Sequence, residues 1–280
     1  MGFIGSVFSP WYRWSGRRNP DDHCCINVAT YGPGGRFAMT DRGAGALRRS
    51  RTELRVGPSR MAWDGGRLMI EVDELAAPPL PGRLRGRIAV TPAALTTFAT
   101  TLDVQARHVW RPFAPVARIE VDLNRGWQWR GHAYFDGNFG LAALEDDFRY
   151  WTWGRFPAGD GTAVFYDGER RDGGRIALAM RFGPDGSAIP APAPPLARLA
   201  RTFWGVRRET RADPGFRPRQ VRGLLDAPFY ARSLVETRLD GQTTRGVHEV
   251  LDLDRFASPL LKPMLALRVP RRRSWRFPEG

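Results

Sequence analysis

Glycine and proline together occupy 54 of the 280 positions, and that frequency limits the fold more than any other feature of the chain. In a helix interior each glycine costs about 1 kcal/mol and each proline about 3 kcal/mol relative to alanine, so a chain interrupted this often cannot sustain long helices. Short strands joined by turns are what remains. Turn signals at Asp64-Gly65-Gly66, Pro157 to Gly161, Asp167-Gly168, Asp172 to Gly174, Gly183 to Gly186 and Asp240-Gly241 mark a meander with a turn roughly every 8 to 12 residues. A meander that closes on itself is a barrel with a lumen. Three stretches depart from this rhythm. TPAALTTFA, from Thr91, has the cap and the proline of a short helical turn. The proline-rich Ala188 to Ala200 reads as a connecting loop, and the apolar run Leu260 to Leu267 as a short helix broken at Pro263.

The stretch GWQWRGHAYFDGNFGLAALEDDFRYWTWGRF, Gly126 to Phe156, holds Trp127, Trp129, Trp151 and Trp153 among six further phenylalanine and tyrosine rings. At period two, Trp127, Trp129, Gly131, Ala133 and Phe135 face one way; Gln128, Arg130, His132, Tyr134 and Asp136 face the other. Tyr134 and Asp136 are then about 6.5 to 7 Å apart on one face. On pattern alone this is an ordinary strand with its polar face in water. An aromatic wall with an embedded carboxylate also suits chemistry on a hydrocarbon. Glu145, Asp146 and Asp147 read as a solvated turn, where water eases their mutual repulsion.

The formal charge of +14 comes almost wholly from arginine, Lys262 being the single lysine. Such a surface is drawn to anionic lipid headgroups or to nucleic acid. No recognised nucleic-acid module accompanies the charge, Arg271 to Arg273 included, so nucleic acid is not an expected partner. No stretch supplies the ~18 consecutive apolar residues of a spanning helix, and MGFIGSVFSPWYRW lacks the basic start and apolar core of a signal peptide. A bilayer would therefore be met from the side. Cys24 and Cys25 are adjacent, so a bond between them would be strained, which fits a reducing cytoplasm. His23, His108, His132 and His248 have no ligand-like spacing, so no metal is expected; GPGG and DGGR lack the strand-to-helix setting of a phosphate loop.

GHAYFD, Gly131 to Asp136, followed by LEDDFRYWTW, Leu144 to Trp153, and the closing VLDLDRFASPLLKPML, Val250 to Leu265, resemble the carotenoid 1,2-hydratases, or hydroxyneurosporene synthases, of phototrophic bacteria. The likeness spans nearly the whole chain. It implies a mainly β protein of two lipocalin-like β-barrel halves with short helices. With the seam placed near Pro157 to Gly168, residues 1–162 form an N-terminal barrel carrying the active site and 163–280 a C-terminal barrel with a basic tail. The resemblance further implies an acyclic carotenoid such as neurosporene or lycopene as substrate, water as co-reactant and no cofactor. It also implies a cytoplasmic enzyme held peripherally on an anionic inner or intracytoplasmic membrane. In that family hydration is attributed to a His-x-Trp and a Tyr-x-Asp pair, matched here by His108 and Trp110 in ARHVW and by Tyr134 and Asp136 in HAYFD. His132 has no tryptophan two residues on, so His108 takes the histidine's place.

An isolated trisubstituted alkene is a weak base and water a poor nucleophile, so a proton donor must act first. Asp136 is the candidate acid, kept neutral by an apolar surround. Trp110 and Tyr134 are candidates for facing the tertiary cation, and His108 for orienting Asp136 or the water or for taking its proton. Trp127, Trp129, Phe135, Trp151 and Trp153 are candidates for lining the hydrocarbon slot. Arg130 shares a face with Asp136 and would hold it ionised if close, but six residues of strand separate them by about 20 Å. A non-catalytic lipocalin-like carrier of a carotenoid or other lipid is the alternative, because a fold does not fix a function.

Overall fold

The computed structural model describes residues 1–79 and 81–278. Strands dominate, and the α-helices, Pro10–Trp14, Leu144–Asp147, Leu253–Ala257 and Lys262–Arg268, span two turns or fewer. The mainly β expectation holds. The chain forms two compact units, each assembled from separated stretches: one from residues 1–92, 118–133 and 259 onward, the other from 93–117 and 134–258. The seam expected between 162 and 163 falls instead in a tight hairpin. Ala158 lies opposite Gly161, and the pairing runs on without a break from Pro157–Thr162 to Tyr150–Glu169, which leaves no room for a linker.

In the first unit Phe37–Met39 pairs with Cys24–Ala29 and with Arg67–Ala76, which in turn pairs with Gly82–Pro92 from Leu68–Val90 to Ala76–Gly82. Ala38, Val72, Leu84, Val121 and Leu123 form its core, with Ile70, Ile88, Ile119 and Trp127 packed on it. Glu74 is 1% exposed; Arg42 grips its carboxylate through both terminal nitrogens, at 3.1 and 2.8 Å, and Ser59 donates its hydroxyl at 2.7 Å. Removing one partner of a buried pair strands the other charge. Glu74→Ala is therefore expected to cost about 3–5 kcal/mol, measured as a lower denaturant midpoint.

The second unit is built on a seven-stranded antiparallel sheet in the order Ala188–Pro190, Arg175–Phe182, Gly161–Arg170, Phe148–Ala158, Gln242–Asp252, Tyr230–Leu239, Arg219–Asp226. This order is open at both edges, so among the described residues it is not the closed barrel the resemblance implies. Alternation along Phe148–Ala158 separates two environments. Tyr150 packs with Val206, Ala231 and Val250, and Phe156 with Ala163, Phe165, Ala179, Leu199, Val235 and Leu239. Trp151, Trp153 and Arg155 lie on the opposite face. The register there lines up Leu178, Tyr166, Trp153, Glu249 and Arg232 in one row across five strands.

Local expectations fail where tertiary partners take over. TPAALTTFA is not helical: Thr91 and Pro92 end a strand, and the Ala93 and Thr96 amides donate to the Val116 and Phe113 carbonyls. Asp167 and Gly168 lie inside a strand rather than a turn, since the buried Asp167 carboxylate is bound by Arg211. The Ala188 to Ala200 stretch includes the strands Ala188–Pro190 and Leu196–Leu199. Pro263 sits in the first turn of Lys262–Arg268, where its missing N–H costs nothing, instead of breaking a helix.

Candidate active site

Asp136 lies on the strand Trp127–Gly140, which pairs with His108–Leu123. The indole Nε1–H of Trp110 donates to its Oδ2 at 2.9 Å. Trp110 is fully buried and edge-on to Phe98, Tyr166 and Phe182 at 6.1, 5.9 and 6.2 Å between ring centroids. Tyr166 contacts Trp151 at 5.6 Å, and Tyr134 meets Trp153 edge-to-face at 5.2 Å. The carboxyl is thus set in a wall of aromatic rings. Asp136 itself is half-buried.

Burial in this wall pushes the Asp136 pKa up to about 6; the Trp110 hydrogen bond, Tyr134 and Arg155 pull it down, and the charge of Glu249 adds to the rise. Burial also raises the Tyr134 hydroxyl well above the usual phenol range. Arg155 sits over the Tyr134 ring at 5.5 Å, and burial lowers its own pKa. Glu249 is tied to Arg232 at 2.7 Å and accepts the Tyr230 hydroxyl at 2.8 Å. Arg130 is far from any such role: its side chain is 82% exposed and lies 3.5 Å from Glu120. Among the described residues no guanidinium is within ion-pair distance of Asp136. The Tyr134 hydroxyl and the Nε1–H groups of Trp151 and Trp153 are buried without a hydrogen-bond partner among the described residues.

His108 stands two residues before Trp110, but its partner is Asp147. Its Nε2 lies 2.6 Å from Asp147 Oδ2, its backbone N–H donates to Asp103 Oδ1 at 2.8 Å, and its ring is edge-on to Phe148 at 5.0 Å. Arg107 binds the other Asp147 oxygen. The acidic run is therefore only partly a solvated turn: Asp146 is exposed, whereas Glu145 and Asp147 are buried. Sequence reading missed Asp147 because its partner is 39 residues away. It also missed Tyr166, Arg155 and Glu249, which strand register brings to the wall.

The expected lining divides. Trp151 and Trp153 join the wall. Phe135 stacks on Phe113 at 5.2 Å on the other face of its strand, Trp127 packs on the core of the first unit, and Trp129 is 47% exposed. The site also draws on both halves of the sequence, with Tyr166, Phe182 and Glu249 supplied from beyond residue 162. Among the described residues no group of three or more His, Cys, Asp and Glu side chains is placed to hold a metal ion.

The chain is similar to known proteins along nearly its whole length. The acyclic carotenoid 1,2-hydratase of Cereibacter sphaeroides is 62% identical over 277 residues, covering 99% of both chains. That of Rhodobacter capsulatus is 57% identical, again over 99% of both, and that of Thiocapsa roseopersicina 49% identical over 97% of this chain and 68% of its own. Among solved structures, CghA with Sch210972 superposes with a TM-score of 0.46 at 12% identity, covering 84% of this chain and 80% of that one. The model of the family described as "Carotenoid hydratase CrtC" matches residues 1–278; with relatives this similar over nearly their full length, the chain belongs to the carotenoid hydratase family.

Proposed function

We propose that this protein adds water across the terminal 1,2 double bond of acyclic carotenoids to give tertiary 1-hydroxy products, with Asp136 as the proton donor and no cofactor, as a hydro-lyase. The observation that carries the reading is a single carboxyl, bonded to Trp110 and raised toward neutrality, in a wall of aromatic rings. A linear carotene has no heteroatom to recognise, so its binding rests on burial at about 25 cal/mol per Å². Trp151, Trp153 and Tyr166 supply such surface.

The protonated Asp136 gives its proton to C2, and the alkene π pair forms the new C–H bond. The tertiary cation left at C1 faces the π clouds of Trp110 and Tyr134, each contributing about 1–2 kcal/mol in a dry site. Water bonds to C1 and loses a proton to the Asp136 carboxylate, which restores the acid. The otherwise unpartnered Tyr134 hydroxyl and tryptophan N–H groups are available to hold that water. Arg155 offsets the transient carboxylate charge. His108, with Nε2 committed to Asp147, acts as a positioning residue at the start of the strand that carries Trp110. Because carotenes dissolve in lipid, the enzyme works peripherally on the cytoplasmic side of an anionic membrane.

The test is to incubate purified protein with lycopene in detergent micelles in deuterated water. Deuterium at C2 and a hydroxyl at C1 support hydration; recovery of unaltered lycopene points to a carrier. The active form is the protonated one, so kcat/KM should be highest below about pH 6 and fall roughly tenfold per pH unit above it. The substrate has no ionisable group, so the profile reports the enzyme. A rate independent of pH between about 5 and 8 removes Asp136 as the donor.

A further inference from the structure

The strands Leu196–Leu199 and Arg208–Arg211 pair as a hairpin in the second unit. Its loop turns at Thr202 to Gly205, where the Gly205 amide donates to the Thr202 carbonyl at 2.9 Å. The two central positions of such a turn are its most exposed and usually hold Gly, Pro, Asn, Asp or Ser. Here they hold Phe203 and Trp204, 90% and 48% exposed, in edge-to-face contact at 5.7 Å. Leaving two large rings in water is unfavourable, yet the backbone is fastened so that they stay there. The Phe203 amide donates to Asp226 at 2.9 Å, Arg201 to the Gly205 carbonyl at 2.9 Å, and Arg255 to the Trp204 carbonyl at 2.8 Å. Glycine suits the positive φ of +71° at Gly205 that closes the turn.

The base of the loop is buried. Val206 is fully enclosed with Tyr150, Ala231 and Val250; the Tyr150 hydroxyl donates to the Arg207 carbonyl at 3.0 Å, and the Arg207 guanidinium lies over its ring at 4.3 Å. Tyr150 directly precedes Trp151 of the aromatic wall. Between Leu196 and Thr210 the sequence carries Arg198, Arg201, Arg207 and Arg208 against one acid, Glu209. Arg198 and Arg201 are exposed, and Arg207 is paired with Glu169 at 2.8 Å. Paired rings at a rigid tip with guanidinium groups around them match the acyl boundary and headgroups of an anionic bilayer.

The geometry points to the Phe203–Trp204 turn as the element that seats the protein on an anionic lipid surface. This deepens the hydratase reading and rests on it for its purpose: the rings dip where a carotene is dissolved, and the hairpin joins them to the strand that lines the site.

The test compares the full chain with a Phe203→Ser, Trp204→Ser double variant in co-sedimentation with phosphatidylcholine vesicles, with and without about a third phosphatidylglycerol. The wild type should bind the anionic vesicles more tightly, with a pull that salt weakens, and the variant should bind at least about tenfold less. Near-UV circular dichroism verifies that the variant is folded. Its turnover of lycopene should persist in micelles and drop in vesicles. Equal vesicle binding by both proteins, no binding by the wild type, or a wild-type dimer that the variant dissolves overturns the assignment, the last by making a second copy the occupant. Failure of the wild type to hydrate lycopene in micelles sinks the hydratase reading alone, because the binding comparison does not depend on turnover.

Discussion

Asp136→Asn is expected to lower turnover by about three orders of magnitude, within the range of a lost general acid, and to make the protein more stable at neutral pH. The amide still accepts the Trp110 N–H but has no proton acidic enough for an alkene. The stability gain follows from linkage. The folded-state pKa, about 6, lies above the ordinary value of 3.8, so the native site favours the protonated form. The resulting penalty is absent below about pH 4, grows as pH rises through 6, and is fully present at pH 7. Two pKa units correspond to roughly 3 kcal/mol. Residual exposure of the side chain reduces this, giving an expected gain of about 1–3 kcal/mol, read from denaturant melts at pH 7 and at low pH. Loss of activity with loss of stability would mark Asp136 as a structural residue.

Asp147→Ala carries the second large effect. Asp147 is buried between the His108 ring and the Arg107 guanidinium, and removing it leaves both without their acceptor. A cost of about 1–3 kcal/mol is expected, because the His108 ring is buried whereas the half-exposed Arg107 regains water. Among the molecules that remain folded, kcat should fall about tenfold with little change in KM, since Asp147 acts on the strand that carries Trp110 and not on the hydrocarbon slot. Asp147→Asn keeps an acceptor for the His108 N–H and should recover most of kcat. A rise in KM with kcat unchanged would place the pair in substrate binding.

The parts of this structure set by local periodicity were legible in the sequence. Breakers predicted strands joined by tight turns, and the hairpins at Gly65-Gly66 and Gly241 close as expected, Asp64 opposite Arg67 and Leu239 opposite Gln242; the strands are not all short, His108–Leu123 and Trp127–Gly140 running to 16 and 14 residues. Alternation put Tyr134 and Asp136 on one face. The contacts set by long-range register were not legible. Tyr166 and Glu249 reach the wall only because they flank Trp153 in the sheet, and Asp147 looks like one of three solvated acids until His108 is placed beside it. Alternation also grouped Trp127 and Trp129 with Phe135, but a strand running from Trp127 to Gly140 meets different surroundings along its length. The interleaving of the two units leaves no mark in composition, since a chain path that returns twice to the same core has no linker to announce it.

If Asp136 is a carboxylic acid held near neutrality among aromatic rings, its own titration shows it: carbon-13 NMR with labelled aspartate follows that carboxyl, assigned by its absence in Asp136→Asn. A midpoint at about 6, moving higher when a saturated carotenoid analogue fills the site and excludes water, is the result predicted. A midpoint near the ordinary 3.8, unmoved by the analogue, would contradict it.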